Sequence, residues 1–134
     1  MVGFSAGARV SLSVAEPRSF ELLEPPSKLR FRAAVAFYPP CKAAGAAPPD
    51  VPALIFIGAL DEWTPAVECT TKIAGWRNDG PPVELIVYPG AYHGFYYPHL
   101  QPGMTMFDHW LEYTGEAADN ASRRLQHSLD RHLK

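Results

Sequence analysis

Long apolar runs are missing from this sequence, and none approaches the length that spans a bilayer. Clusters of Lys and Arg that would track a nucleic-acid backbone are missing too, as is any long run of one charge. The formal net charge is −2. The expected partners therefore include neither nucleic acid nor membrane, and the oligomeric state is left open. No basic segment followed by an apolar one opens the chain, so no signal peptide is visible. As written the chain reads as cytoplasmic, but a preceding segment would change that, and localisation stays open. Cysteine is scarce: Cys41 and Cys69 permit one disulfide or none. There is no internal repeat, no low-complexity tract and no sign of a second domain.

What is present is ordinary for a globular domain: 47% hydrophobic and 19% charged residues. A length of 134 residues suffices for one domain, 1–134, around one core. The fourteen prolines fall mostly in pairs, at Pro25-Pro26, Pro39-Pro40, Pro48-Pro49 and Pro81-Pro82, and so punctuate the chain. Three apolar runs near 33–38, 52–58 and 83–88 read as strands. The first two are nearly continuous, the pattern of strands buried on both faces of a parallel sheet. Helical segments fall near 6–15, 65–78 and 115–133. Glu16-Pro17 ends the first. Pro65 suits the first turn of the second, and Asp79-Gly80-Pro81 stops it. Thr114 is the expected N-cap of the third, whose apolar stripe is Ala118, Ala121, Leu125, Leu129 and Leu133. This alternation predicts an α/β fold with a parallel sheet of about three strands and right-handed crossovers. The stretches 16–32, 39–51 and 94–113 read as irregular.

The chemistry begins at Gly3-Phe4-Ser5-Ala6-Gly7, a G-x-S-x-G pattern. Such a turn between strand and helix holds a serine in a strained conformation that projects its Oγ. Small residues at Gly3 and Gly7 are expected to let strand and helix pack closely. The Ala6 N–H, at the start of the helix, faces developing negative charge and is the expected oxyanion donor. A serine hydroxyl is a poor nucleophile without a base. Asp61 falls just beyond the second apolar run and His93 just beyond the third. The order Ser, Asp, His, with each group at the carboxyl end of a parallel strand, is the arrangement of an α/β-hydrolase triad.

Four segments carry a wider likeness: Val2-Gly3-Phe4-Ser5-Ala6-Gly7, Ala36-Phe37-Tyr38-Pro39-Pro40-Cys41, the run Gly58-Ala59-Leu60-Asp61-Glu62-Trp63-Thr64-Pro65, and Tyr88-Pro89-Gly90-Ala91-Tyr92-His93-Gly94-Phe95. In this order they resemble the C-terminal half of a dienelactone hydrolase family protein, from the elbow to the terminal helix. The resemblance implies a partial α/β-hydrolase fold without the N-terminal strands. It implies Ser5 as nucleophile, Asp61 as orienting acid and His93 as general base, with no cofactor and a small-molecule ester or lactone as substrate. Dienelactone hydrolases proper carry cysteine where this chain has Ser5, which points to a broader esterase chemistry. Family members also carry a comparable stretch before the elbow, which supplies the second oxyanion N–H. The alternative expectation is accordingly an inactive fragment of such a hydrolase, with an open sheet edge.

Other residues leave two readings open. Trp63, Phe95, Tyr96 and Tyr97 flank the acid and the histidine, and either line a substrate pocket or serve ordinary packing. Cys41 and Cys69 either pair in an oxidising compartment or remain two buried free cysteines. Glu62 is an alternative acid, expected to be solvated. His93, His99 and His109 match no common metal-site spacing, so no metal is expected. The sequon Asn120-Ala121-Ser122 lies in an expected helix and reads as incidental.

Overall fold

Proline and glycine cut the chain where its elements begin and end. The computed structural model describes residues 1–23, 29–76 and 79–133. β1 (Val2–Phe4) leads through Ser5 into α1 (Ala6–Ser13) and then α2 (Pro17–Leu23). β2 (Ala34–Phe37) is followed by a 3₁₀ turn at Cys41–Ala43, β3 (Ala53–Gly58), α3 (Ala66–Ala74) and β4 (Val83–Tyr88). A second 3₁₀ turn at Pro98–Leu100, the short strands β5 (Met104–Met106) and β6 (His109–Leu111), and α4 (Gly115–His132) complete the order.

The main sheet runs β1-β2-β3-β4, with every neighbouring pair parallel. The expected three strands are all present, and the residues before Ser5 add β1 as a fourth. β2 and β3 are buried along their whole length, as their unbroken apolar runs require. Phe37, Ile55, Phe56 and Ile57 form the centre of the core. Each such side chain contributes roughly 1.5–3 kcal/mol by leaving water. β4, at the edge of the sheet among the described strands, is only partly buried except at Tyr88. Register aligns Gly3 with Ala36, Ala36 with Ile55, and Ile55 with Leu85. The carboxyl ends of all four strands therefore lie along one rim.

Two glycines set the spacing at that rim. A Cβ on Gly3 would sit 2.2 Å from the Gly7 carbonyl oxygen and 2.4 Å from Ser11 Oγ, so only glycine lets α1 lie this close to β1. A Cβ on Gly58 would sit 2.1 Å from the Ala91 oxygen, which fixes the loop after β3 against the loop after β4. Gly7 differs from expectation: a Cβ there meets nothing within 4 Å, so close packing does not require it.

Several sequence expectations shift. Residues 17–23, read as irregular, form α2: α1 has already ended at Ser13, short of the expected 15, and Pro17 is the first-turn residue of the next helix rather than a stop. Residues 24–28 of the same stretch lie outside the described residues. α3 starts one residue after Pro65, which caps it, and Gly75 closes it before 77–78, which also lie outside the described residues. The stretch 94–113 contains the antiparallel β5–β6 ribbon. Its strands are too short to show alternation. Its two-residue turn, Phe107-Asp108, has positive φ at both positions (49° and 63°) without the Asn-Gly signature of such turns. α4 packs through Ala117, Ala118, Ala121 and Leu125, but the stripe ends early and Leu133 is 58% exposed.

Cys41 and Cys69 are joined in a disulfide that ties the 3₁₀ turn after β2 to α3, with Cα atoms 5.0 Å apart. Lys72 Nζ donates to the carbonyls of Ala44 (2.6 Å) and Gly45 (2.8 Å) and ties the same two segments.

Candidate active site

Ser5 lies between β1 and α1 with φ 50° and ψ −117°, outside the conformations an L-residue prefers. The neighbouring strand holds it there, because Ser5 N–H donates to the Phe37 carbonyl at 2.9 Å. The strain turns the side chain away from the sheet. Ala6 opens α1, so no helical carbonyl upstream can accept its N–H, and the residue is exposed.

Asp61 and His93 come from the loops after β3 and β4. Both are buried, at 4% and 3% exposure. Glu62, the alternative acid, is exposed. Asp61 Oδ1 accepts the backbone N–H of Trp63 (3.0 Å) and of Thr64 (2.8 Å), a turn that the short carboxylate makes locally. Its Oδ2 lies 2.8 Å from His93 Nδ1 and 2.8 Å from Thr64 Oγ1. With a proton on Nδ1 donated to this carboxylate, Nε2 is left as an acceptor. Nε2 lies 3.0 Å from Ser5 Oγ. Ser5, His93 and Asp61 thus form one chain of hydrogen-bonding contacts, although 88 and 32 residues separate the two pairs in sequence. The His93 loop is held by Leu60 N–H donating to the Ala91 carbonyl (3.0 Å) and by positive φ at Gly90 and Gly94. The ribbon reaches it as well, since Leu111 of β6 bridges to His93.

Aromatic rings surround this group. Trp63 lies 5.0 Å from the His93 ring, His109 stacks on Trp63 at 5.1 Å, and Phe107 meets it edge-on at 5.9 Å. Phe107 and His109 belong to the ribbon, which sequence reasoning missed. Phe95 is fully buried against Tyr38 and Tyr88 in the core, so its expected place in a pocket wall is taken by packing. Tyr96 is half-buried: its ring packs on Phe37, and its hydroxyl shares a hydrogen bond with Ser122 Oγ at 3.0 Å, bracing α4. Asn120, in the same sequon, accepts from Tyr88 at 2.9 Å.

Two further residues escaped the sequence reading. Tyr38, just past β2, has φ 41° and is buried, with its ring 4.8 Å from that of His93. Burial, and then the neighbouring Tyr97, raises its pKa far above the tyrosine range, so the phenol stays neutral. Its hydroxyl has no partner in hydrogen-bond geometry. Thr64 is the other: it is buried, and its Oγ1 lies 2.8 Å from Asp61 Oδ2. Motif spacing could have drawn attention to Thr64, three residues after Asp61, but nothing local marks Tyr38. Among the described residues no group of three or more His, Cys, Asp or Glu side chains could hold a metal ion. No helix of the described residues is long and apolar enough to cross a membrane.

Solved structures share this fold at low identity. An α/β hydrolase, MGS-M1, from a Medee basin deep-sea metagenome library is 20% identical, with 96% of this chain matched to 53% of that one (TM-score 0.60). The carboxylesterase Cest-2923 from Lactobacillus plantarum WCFS1 is 16% identical over 95% of this chain and 57% of that one (TM-score 0.59). A thermophilic esterase from Thermogutta terrifontis, Est2 with propionate bound, is 20% identical over 94% and 54% (TM-score 0.57), and esterase 2 of that species has also been solved phosphorylated by paraoxon. The chain therefore spans about half the length of these structures. A comparison with curated protein sequences returned no significant match. The sequence model of the dienelactone hydrolase family matches residues 1–133, and the chain belongs to that family.

Proposed function

We propose that this member of a hydrolase family is a serine hydrolase of carboxylic esters or lactones that works through an acyl-enzyme. The observation that carries the reading is the placement of His93 between Ser5 Oγ (3.0 Å) and Asp61 Oδ2 (2.8 Å), with Ser5 on a strained elbow. His93 Nε2 takes the Ser5 proton as Oγ attacks the carbonyl carbon. The Ala6 N–H receives the oxyanion. The C–O bond to the leaving alcohol then breaks, and His93 returns the proton to that oxygen. Water enters, loses a proton to His93 and attacks the acyl carbon, and Ser5 recovers its proton as the acid departs. Asp61 keeps the imidazole in one tautomer and offsets its charge while it is protonated. Trp63, with Phe107 and His109 against it, supplies a wall beside His93 for the acyl or alcohol portion, while Tyr96, packed on Phe4 and Phe37, is a separate candidate for contact with the substrate.

The esterase phosphorylated by paraoxon suggests the direct probe, a fluorophosphonate or organophosphate that reacts with an activated serine. The chain is expected to be labelled once, at Ser5, and to hydrolyse p-nitrophenyl acetate. Ser5→Ala removes both signals. Retention of either in the Ser5→Ala variant refutes the assignment.

A second reading is a chain that does not turn over substrate by itself. It is favoured by the chain spanning about half the length of its solved relatives. Losing one oxyanion donor costs about 2.7–4 kcal/mol of transition-state stabilisation, so an incomplete site keeps the nucleophile and loses most of the rate. Labelling at Ser5 without measurable ester turnover is the result expected from that reading.

A further inference from the structure

Thr64 Oγ1 sits at the meeting point of three groups. It lies 2.8 Å from Asp61 Oδ2, 3.2 Å from the Tyr38 carbonyl oxygen and 3.2 Å from His93 Nδ1. The residue is 4% exposed, so no bulk water competes for these contacts. A threonine hydroxyl has one proton to donate and lone pairs to accept with. The nearer of its two acceptors is the Asp61 carboxylate, a charge-assisted contact and the stronger one. Its lone pairs then face the Nδ1–H of His93, which is shared between Asp61 Oδ2 and Thr64 Oγ1.

This completes the surroundings of Asp61. Oδ1 accepts the two backbone N–H groups of Trp63 and Thr64, and Oδ2 accepts the Thr64 hydroxyl and the His93 N–H. Every direction from which the carboxylate could be pulled has a donor. The contact to the Tyr38 carbonyl matters for a different reason. Tyr38 follows β2, whose Phe37 carbonyl holds Ser5 N–H. The positive φ of Tyr38 bends the chain at this point. Thr64 therefore packs the loop that carries the acid against the segment that holds the nucleophile, with its Oγ1 near the Tyr38 carbonyl while its proton goes to Asp61. The Cys41–Cys69 link secures the same two segments further out.

We propose that Thr64 is a positioning residue: its hydroxyl fixes the Asp61 carboxylate and the His93 imidazole in the orientation that aims Nε2 at Ser5. The proposal rests on the serine hydrolase reading for its kinetic consequence, but its structural consequence can be read without turnover. Thr64→Val keeps the shape and removes the hydroxyl, and Thr64→Ala serves as the smaller variant where valine does not fold. Thr64→Ser restores the hydroxyl. Either hydroxyl-free variant is expected to lower kcat for an activated ester about tenfold or more with KM changed less than about twofold, since misorientation at the reacting centre acts on the transition state. Thr64→Ser stays within about threefold of the parent.

The independent readout is the downfield proton resonance of His93 Nδ1–H. It is expected to be sharp in the parent and in Thr64→Ser, and to broaden and exchange faster with solvent in the hydroxyl-free variant. A hydroxyl-free variant with parental kcat and an unchanged Nδ1–H line overturns the proposal. So does a Thr64→Ser variant as impaired as the hydroxyl-free one, because the methyl group would then be what matters. If the parent shows no turnover, the resonance alone decides the role of Thr64. Failure of the hydrolase reading shows separately, as labelling that survives Ser5→Ala.

Discussion

Ser5, Tyr38, Phe107 and Asp108 are the non-glycine residues given positive φ among the described residues, and the first two stand at the carboxyl ends of adjacent strands. At Ser5 the strain exposes a hydroxyl, and at Tyr38 it aims a carbonyl at Thr64. Strain of this kind costs of order 1–3 kcal/mol per residue and persists only where the surroundings over-determine it. The tyrosines have a consequence of their own. Burial raises the Tyr88 phenol to about 12, with Glu84 adding to the rise while Arg124 and Arg123 oppose it. Tyr38 is raised further. Both are neutral in the folded chain at pH values where the unfolded chain ionises. Each contribution to stability is therefore complete below pH 10; that of Tyr88 is lost as pH rises from 10 through about 12, and that of Tyr38 continues to fall above it. The slope is at most about 1.4 kcal/mol per pH unit for each residue. Urea midpoints are expected to fall over this range, and to fall less steeply in Tyr88→Phe. An equal fall in that variant contradicts the account.

Elements act here chiefly through what joins them. The site draws on the ends of four strands, and short loops made firm by glycine bring those ends together. Gly58 against Ala91 is the tightest of these approaches. α3 is held to the segment after β2 by Lys72 and by the Cys41–Cys69 link. A cross-link between residues 28 apart stabilises a domain by about 3.6 kcal/mol, mainly by restricting the unfolded chain. Thiol titration of the unreduced, denatured protein is expected to find no free thiol. The double variant Cys41→Ala, Cys69→Ala is expected to lose about 3.6 kcal/mol in urea unfolding. Two titratable thiols in the unreduced protein exclude the link.

At the scale of the whole molecule the sheet is asymmetric. β4 is a half-exposed edge among the described strands, with Glu84 and Val87 exposed. At the other margin β1 pairs with β2 alone among the described strands, and Met1 and Val2 are exposed there. An unpaired apolar edge is a template for further strands. Size-exclusion chromatography of the 134-residue chain is therefore expected to show species larger than a monomer. Val2→Lys, which places charge on that edge, is expected to shift the distribution towards the monomer. A monomeric parent at high concentration contradicts this.

Much of this was legible in the sequence. Continuous apolar runs marked β2 and β3, because a strand covered on both faces has no polar side to show. The order Ser5, Asp61, His93, each just past a strand, was legible because parallel strands deliver their carboxyl ends to one rim. What followed from local signals was found, and what depended on long-range contact was not. α2 hid because Pro17 reads as a helix stop when it is the first residue of the next helix. The β5–β6 ribbon hid because three-residue strands carry no period, and with it went the aromatic wall on Trp63. Phe95 and Trp63 looked alike in sequence, yet one is packed in the core and the other stands beside His93. The sequence by itself determined the fold class and the order of the candidate residues, since both follow from local apolar pattern and turn chemistry. Only the tertiary structure decided the distances between Ser5, His93 and Asp61, the neutral buried Tyr38 and the place of Thr64, since those depend on which loops lie within a few ångströms of one another.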